Sequence, residues 1–368
     1  MQTPTLRLDR RHAAILYRGA RRQSHDLWLA ARFLGRADRG AMLAVALLLR
    51  LLDDIVAGRE APRDYAEDEP GESRVGEPTP ASACACGSGS IESRAAVAHN
   101  VVGYLFEEAA PGLIGRPELE VFVIVREALR LPRKPFDRFI DGLVGMAGAK
   151  RMATRAVLSR LVEALATPLA EIAAATLGHA PGDSTAAARA AAAVRFIIRA
   201  RQLLALRQAW QSDDRCLIAL EDLASFGLRD RDFGSWLLGG ESPISPVNEA
   251  RCARLIESQR TAAMADLIDG LGLIDSLPGA QARALAAYIG YWGEALLDAP
   301  VAGGAPGQSS MPNWRAARFR AWRYAISGRV SPRILARLQA IDSHGGDPGA
   351  AEVATVSSRR GRVAGERA

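Results

Sequence analysis

The sequence predicts an all-α fold, and three observations carry that prediction. Hydrophobic residues make up 49% of the chain and are mostly Ala and Leu, whereas aromatics are only 6% and β-branched runs are few. Apolar residues recur at helical spacing through most of the chain and nowhere alternate as a half-buried strand would. No solenoid-length repeat is present.

Each segment supports this in turn. Residues 1–23, with "RLDRRHAAILYRGARR", read as a basic N-terminal tail. From Ser24, "SHDLWLAARFL" reads as helix up to a break at Gly35. The next segment, "RADRGAMLAVALLLRLLDDIVA", is apolar nearly all round, as a helix buried in a bundle is. Residues 59–92 are rich in Pro, Gly, Ser and acid, so they read as a flexible loop inserted between helices. Helical periodicity returns at about Ser93, and Pro117, Pro135 and Ser184 stand where helices start. It continues through "VNEARCARLIESQRTAAMADLIDGL", "GAQARALAAYIGYWGEALLD" and "PNWRAARFRAWRYAIS". Trp292, Trp314 and Trp322 read as core or interface anchors. Residues 346–368 read as a disordered basic tail, which leaves 24–345 as one all-α domain.

Charge and cysteines exclude several classes. The formal charge is +6, and Lys134 and Lys150 are the only lysines. Arginine suits planar contacts to phosphate or carboxylate, although a GC-rich coding sequence explains the surplus as well. The basic ends lack aromatic interleaving or a DNA-binding motif, so no nucleic acid partner is expected. Cys84, Cys86, Cys216 and Cys252 make no disulfide framework, which fits a reducing compartment. Cys84 and Cys86 are a lone CxC in a flexible stretch. No signal peptide and no apolar run of membrane-spanning length is visible. The expectation is a cytoplasmic protein whose arginine-rich ends allow peripheral contact with the inner membrane face.

One stretch raises a chemical question. In "LLRLLDDIVAGRE", Asp53 and Asp54 follow a long apolar run, and Arg50 stands three residues before Asp53. The plain reading is a solvated helix end in which Arg50 partners Asp53. Carboxylates are unfavourable at a helix C-terminus because of its dipole, which leaves a functional origin open. Asp213 and Asp214 pose the same choice before a turn.

Three segments together resemble the squalene/phytoene synthase family, which joins prenyl diphosphates head to head. They are "DLWLAARFLGRADRGAMLAVALLLRLLDDIVAG", "LRLPRKPFDRFIDGLVGM" and "RARQLLALRQAWQSDDRCLIALEDLASFGLRDRDF", in the family's order and near its spacing. The resemblance implies an isoprenoid-synthase-like helical bundle around a central cavity. It also implies Mg²⁺-dependent ionisation of a prenyl diphosphate substrate, followed by prenyl transfer. Magnesium requires oxygen ligands in near-octahedral array, and the family supplies them from a D-x-x-x-D on each of two helices. Carried onto this chain, Asp53, Asp54 and Asp213 would hold metal, Arg50 with Ser24 and His25 would hold diphosphate, and Arg50 and Gln202 would take catalytic roles.

The pattern is thinned. The position four after Asp53 is Ala57, and adjacent helical residues point about 100° apart, so Asp54 does not replace the missing partner. Aligning Gln202 with the family's glutamine puts Ala205 at its asparagine, Ala209 at its first aspartate and Asp213 at its last. A gapped alignment puts Gln208 at the first aspartate instead. Asp26 stands where the family tends to have a small hydroxyl residue, and "LVEALATPLAE" lacks the usual tyrosine. Two functions follow from the resemblance. One is a divergent magnesium-dependent prenyltransferase of isoprenoid biosynthesis, or less directly a terpene-forming lyase. The alternative is a non-catalytic member that kept the fold, lost the metal sites and serves as a protein partner or assembly factor.

Overall fold

The computed structural model describes residues 8–23, 25–59, 90–107, 116–179, 184–239, 245–299 and 312–343. Fifteen α-helices and no strand occur among them, with one isolated bridge between Met152 and Ala219. Among the described residues no helix is long and apolar enough to cross a membrane. The expected loop at 59–92 falls mostly outside the described residues, as does the expected tail at 346–368. The chain forms two compact units, Met1–Ala149 with Leu161–Ala187, and Lys150–Arg160 with Ala188–Ala368.

The first unit is built on α3 (Arg36–Val56), which packs against α1 (Arg10–Gln23), α4 (Ile91–Phe106), α5 (Pro117–Leu129) and α6 (Lys134–Gly148). Such a helix has no solvent face to spare, and Leu43, Val45, Leu48 and Leu52 are all buried. Residues 10–23 correct the expectation of a tail over 1–23. Ala13, Leu16, Tyr17 and Ala20 recur at helical spacing among the arginines, and Leu16 and Ala20 are buried. The Asp9 carboxylate caps this helix, accepting from the His12 amide at 2.7 Å. Arg39 ties its neighbours together, donating to the Tyr17 hydroxyl at 2.7 Å and to the carbonyls of Ala31 and Leu34.

Three phenylalanines, Phe106, Phe122 and Phe136, bring α4, α5 and α6 to one point, with ring centroids 5.3–5.9 Å apart. Pro117 and Pro135 sit in the first turns of α5 and α6, as their missing amide hydrogens allow. Gly142 admits α7 (Arg155–Thr176) so closely that a Cβ there would lie 2.7 Å from the Ala164 carbonyl oxygen.

The second unit contains most of α8 (Ser184–Leu204), then α9 (Leu206–Asp213), α10 (Leu220–Ser225), α11 (Asp230–Leu238) and α12 (Pro246–Ser276). It closes with α13 (Gly279–Asp298), α14 (Trp314–Ala325) and α15 (Pro332–Ser343). Gly270 of α12 meets Ala193 of α8, where a Cβ would lie 2.8 Å from backbone. Glu294 of α13 is fully buried and receives Ser331, Arg320 (2.5 Å) and Arg333 (3.0 Å). A buried carboxylate requires such donors, because desolvating a charge without partners is costly.

Candidate functional site

The end of α3 sets the geometry of the first aspartate motif. Gly58 adopts φ +68°, and its amide donates to the Ile55 carbonyl at 3.0 Å. The Arg59 amide donates to the Asp54 carbonyl at 2.9 Å. This pair of bonds is a Schellman turn, which needs a left-handed residue and so favours glycine. The turn reverses the chain and returns Arg59 over the two carboxylates.

Arg59 then spans both aspartates. Its Nε donates to Asp54 Oδ1 at 2.7 Å and its Nη2 to Asp53 Oδ2 at 2.5 Å. Arg50, one turn earlier on α3, donates from Nε to Asp54 Oδ2 at 3.2 Å and lies 3.8 Å from Asp53. Both Asp54 oxygens are therefore occupied, and the Asp54 side chain is only 11% exposed. Burial opposes the charge on Arg59, but Asp53 and Asp54 outweigh it and hold its pKa above the ordinary arginine value.

Of the expected diphosphate contacts, Ser24 lies outside the described residues, and His25 is described only as the first residue of α2 (His25–Ala31). Asp26, next along α2, is buried.

The second motif lies in the second unit. After α8 the backbone breaks at Ala205, and α9 carries Ala209 buried and Asp213 exposed at its last position. Gln202 is half-buried on α8. Asp214 adopts φ +49°, and Arg151 binds both its carbonyl and its carboxylate, the latter at 2.9 Å. Arg151 also donates to Asp230 at 2.8 Å and lies over the Trp210 ring. Farther along, Asp222 is buried and accepts from Arg155 and, at 2.9 Å, from Gln259.

Residues beyond the sequence reading complete this account. Arg59, Arg151 and Arg155 each engage a carboxylate of the motif regions. A glycine just past the last apolar turn was the one signal that could have pointed to Arg59. His99 lies between Asp137 (3.3 Å) and Asp141 (3.2 Å), one turn apart on α6.

A family model described as squalene/phytoene synthase matches residues 20–316. The chain belongs to the squalene/phytoene synthase family. Among solved structures, this family member is similar to a squalene synthase HpnC from Alicyclobacillus acidocaldarius, at 17% identity and a TM-score of 0.56, covering 76% of this chain and 89% of that one. It is also similar to a dehydrosqualene synthase in complex with ligand, at 15% identity and a TM-score of 0.63, covering 86% and 96%. At these identities the likeness shows the fold. No curated protein matches in sequence.

The family is typically metal-dependent, so the fit of a divalent cation can be judged from the donors present. Asp53 and Asp54 face Arg50 and Arg59, and the four charges cancel. Ala57 offers no oxygen one turn after Asp53, and neither Ala209 nor Gln208 adds a carboxylate to the second motif. Among the described residues, no group of three or more His, Cys, Asp or Glu is placed to hold a metal. As arranged, these residues do not fit a magnesium cluster.

Proposed function

We propose that this squalene/phytoene synthase family member keeps the helical bundle without working magnesium sites and acts as a binding or assembly protein rather than as a prenyltransferase. The observation that supports this reading most is Arg59 bridging Asp53 and Asp54. Ionising a prenyl diphosphate needs cations on the leaving group. Here the first motif's carboxylates are neutralised by the chain's own guanidiniums, Ala57 stands one turn after Asp53, and neither Ala209 nor Gln208 supplies a carboxylate to the second motif.

The divergent transferase is the second reading, favoured by the Arg50-x-x-Asp53-Asp54 pattern kept on α3. In that case a prenyl diphosphate carrying magnesium would displace Arg59. Asp53, Asp54 and Asp213 would hold metal, Arg50 with Ser24 and His25 would hold diphosphate, and Gln202 would line the pocket.

Incubation with labelled farnesyl or geranylgeranyl diphosphate and Mg²⁺ separates the two. The proposal expects no hydrocarbon product and no diphosphate release above a no-protein control. Magnesium-dependent product that disappears in Asp53→Asn would establish the transferase instead.

A further inference from the structure

The outward face of α14 is apolar and bordered by arginine. Phe319, Trp322 and Ile326 recur at i, i+3 and i+7, so they share one face, and they are 61%, 39% and 51% exposed. The opposite face, Ala317, Ala321 and Ala325, is buried, with Ala321 against Gly290 of α13. The rotation of the helix is held from inside. Arg320 reaches the buried Glu294, and Trp314 stacks on Tyr291 with centroids 5.5 Å apart. The apolar face cannot turn inward without breaking both contacts.

Arg315, Arg318 and Arg323 flank this face, Arg329 follows it, and all four are exposed. Among the described residues none of the four is ion-paired, and α14 contains no Asp or Glu. Single exposed apolar residues need no explanation, but three on one face among exposed cations do. A tryptophan and a phenylalanine edged by arginine match the headgroup boundary of a bilayer, where the rings enter the acyl margin and the guanidiniums meet phosphate.

We propose that this face of α14 docks the protein on an anionic membrane surface. The inference is independent of whether the chain turns over prenyl diphosphates. It also differs from the expectation drawn from the arginine-rich ends, of which the N-terminal one forms α1 and the C-terminal one lies outside the described residues.

Flotation of the full chain with vesicles tests it. Wild type is expected to float with phosphatidylcholine vesicles containing phosphatidylglycerol, to float far less with phosphatidylcholine alone, and to be released by salt. Phe319→Glu with Ile326→Glu should cut the bound fraction about tenfold or more, at an unchanged melting temperature. Arg318→Gln with Arg323→Gln should weaken binding and flatten its salt dependence. Arg359→Gln with Arg360→Gln and Arg362→Gln, in the C-terminal segment, should float like wild type. Wild type that stays unbound overturns the proposal, as would happen if the face served a soluble protein. So does wild-type flotation of both α14 variants, or loss of flotation in the C-terminal variant alone.

Discussion

Arg59 Nε lies 2.7 Å from Asp54 Oδ1, and it reaches that oxygen because Gly58 turns the chain back on the helix it has just left. A basic side chain thereby closes an acidic motif within the same short stretch of chain.

Gly58→Ala tests the turn. Its φ of +68° is strained for any residue with a Cβ, and the added methyl would meet Arg94, which is flexible enough to move. The backbone term dominates and is expected to cost about 1–2 kcal/mol. Urea unfolding of the variant and wild type measures it; an unchanged midpoint would show that the turn is not formed.

Glu294→Ala should be far more damaging. The carboxylate is fully buried, and its removal strands Arg320, Arg333 and Ser331. Breaking such a network by deleting one partner costs about 3–5 kcal/mol, read by chemical denaturation. A loss under about 1 kcal/mol would mean the network contributes little net stability.

Asp266 on α12 gives a pH dependence. Burial raises its pKa above the ordinary aspartate value, despite Arg199 at 3.1 Å and Arg195 at 3.6 Å. The folded protein thus holds this proton more tightly than the unfolded chain does. The resulting stability is fully present below the ordinary aspartate value and lost as pH rises through the raised one. Asp266→Asn should flatten the stability curve across that window, and a curve parallel to wild type would contradict the assignment.

The buried thiols should be inert. Burial pushes Cys216 up to about 11 and Cys252 up to about 12, so neither supplies thiolate near neutral pH. Iodoacetamide followed by peptide mass spectrometry should find both unlabelled in native protein and both labelled after denaturation. Native labelling of either would show that the structure around it opens.

Much of the fold was legible because its signals are local. The apolar surround of α3 announced a buried helix, and Pro117, Pro135 and Ser184 marked starts that the structure keeps. Helix α1 was not legible, because five arginines among its fourteen residues obscure a narrow apolar stripe that matters only once α3 is beside it. The site was half legible. Asp53, Asp54 and Arg50 stand out at helical spacing, and the missing carboxylate at Ala57 can be read directly. The role of Arg59 depends on a left-handed turn and on side chains five and six residues back, a relation that helical periodicity does not encode. The links of Arg151 to Asp214 and of Arg155 to Asp222 span more than sixty residues and are tertiary.

The most direct test of the central claim is thermal unfolding with Mg²⁺ and a non-hydrolysable prenyl diphosphate, in wild type, Asp53→Asn, and Ala57→Asp combined with Arg59→Ala. A ligand at a hundred times its dissociation constant adds about 2.7 kcal/mol of stability. No magnesium-dependent shift is expected in wild type or in Asp53→Asn, and a shift is expected in the double variant, where a one-turn carboxylate pair is restored and its arginine removed. A magnesium-dependent shift in wild type that Asp53→Asn abolishes would contradict the claim.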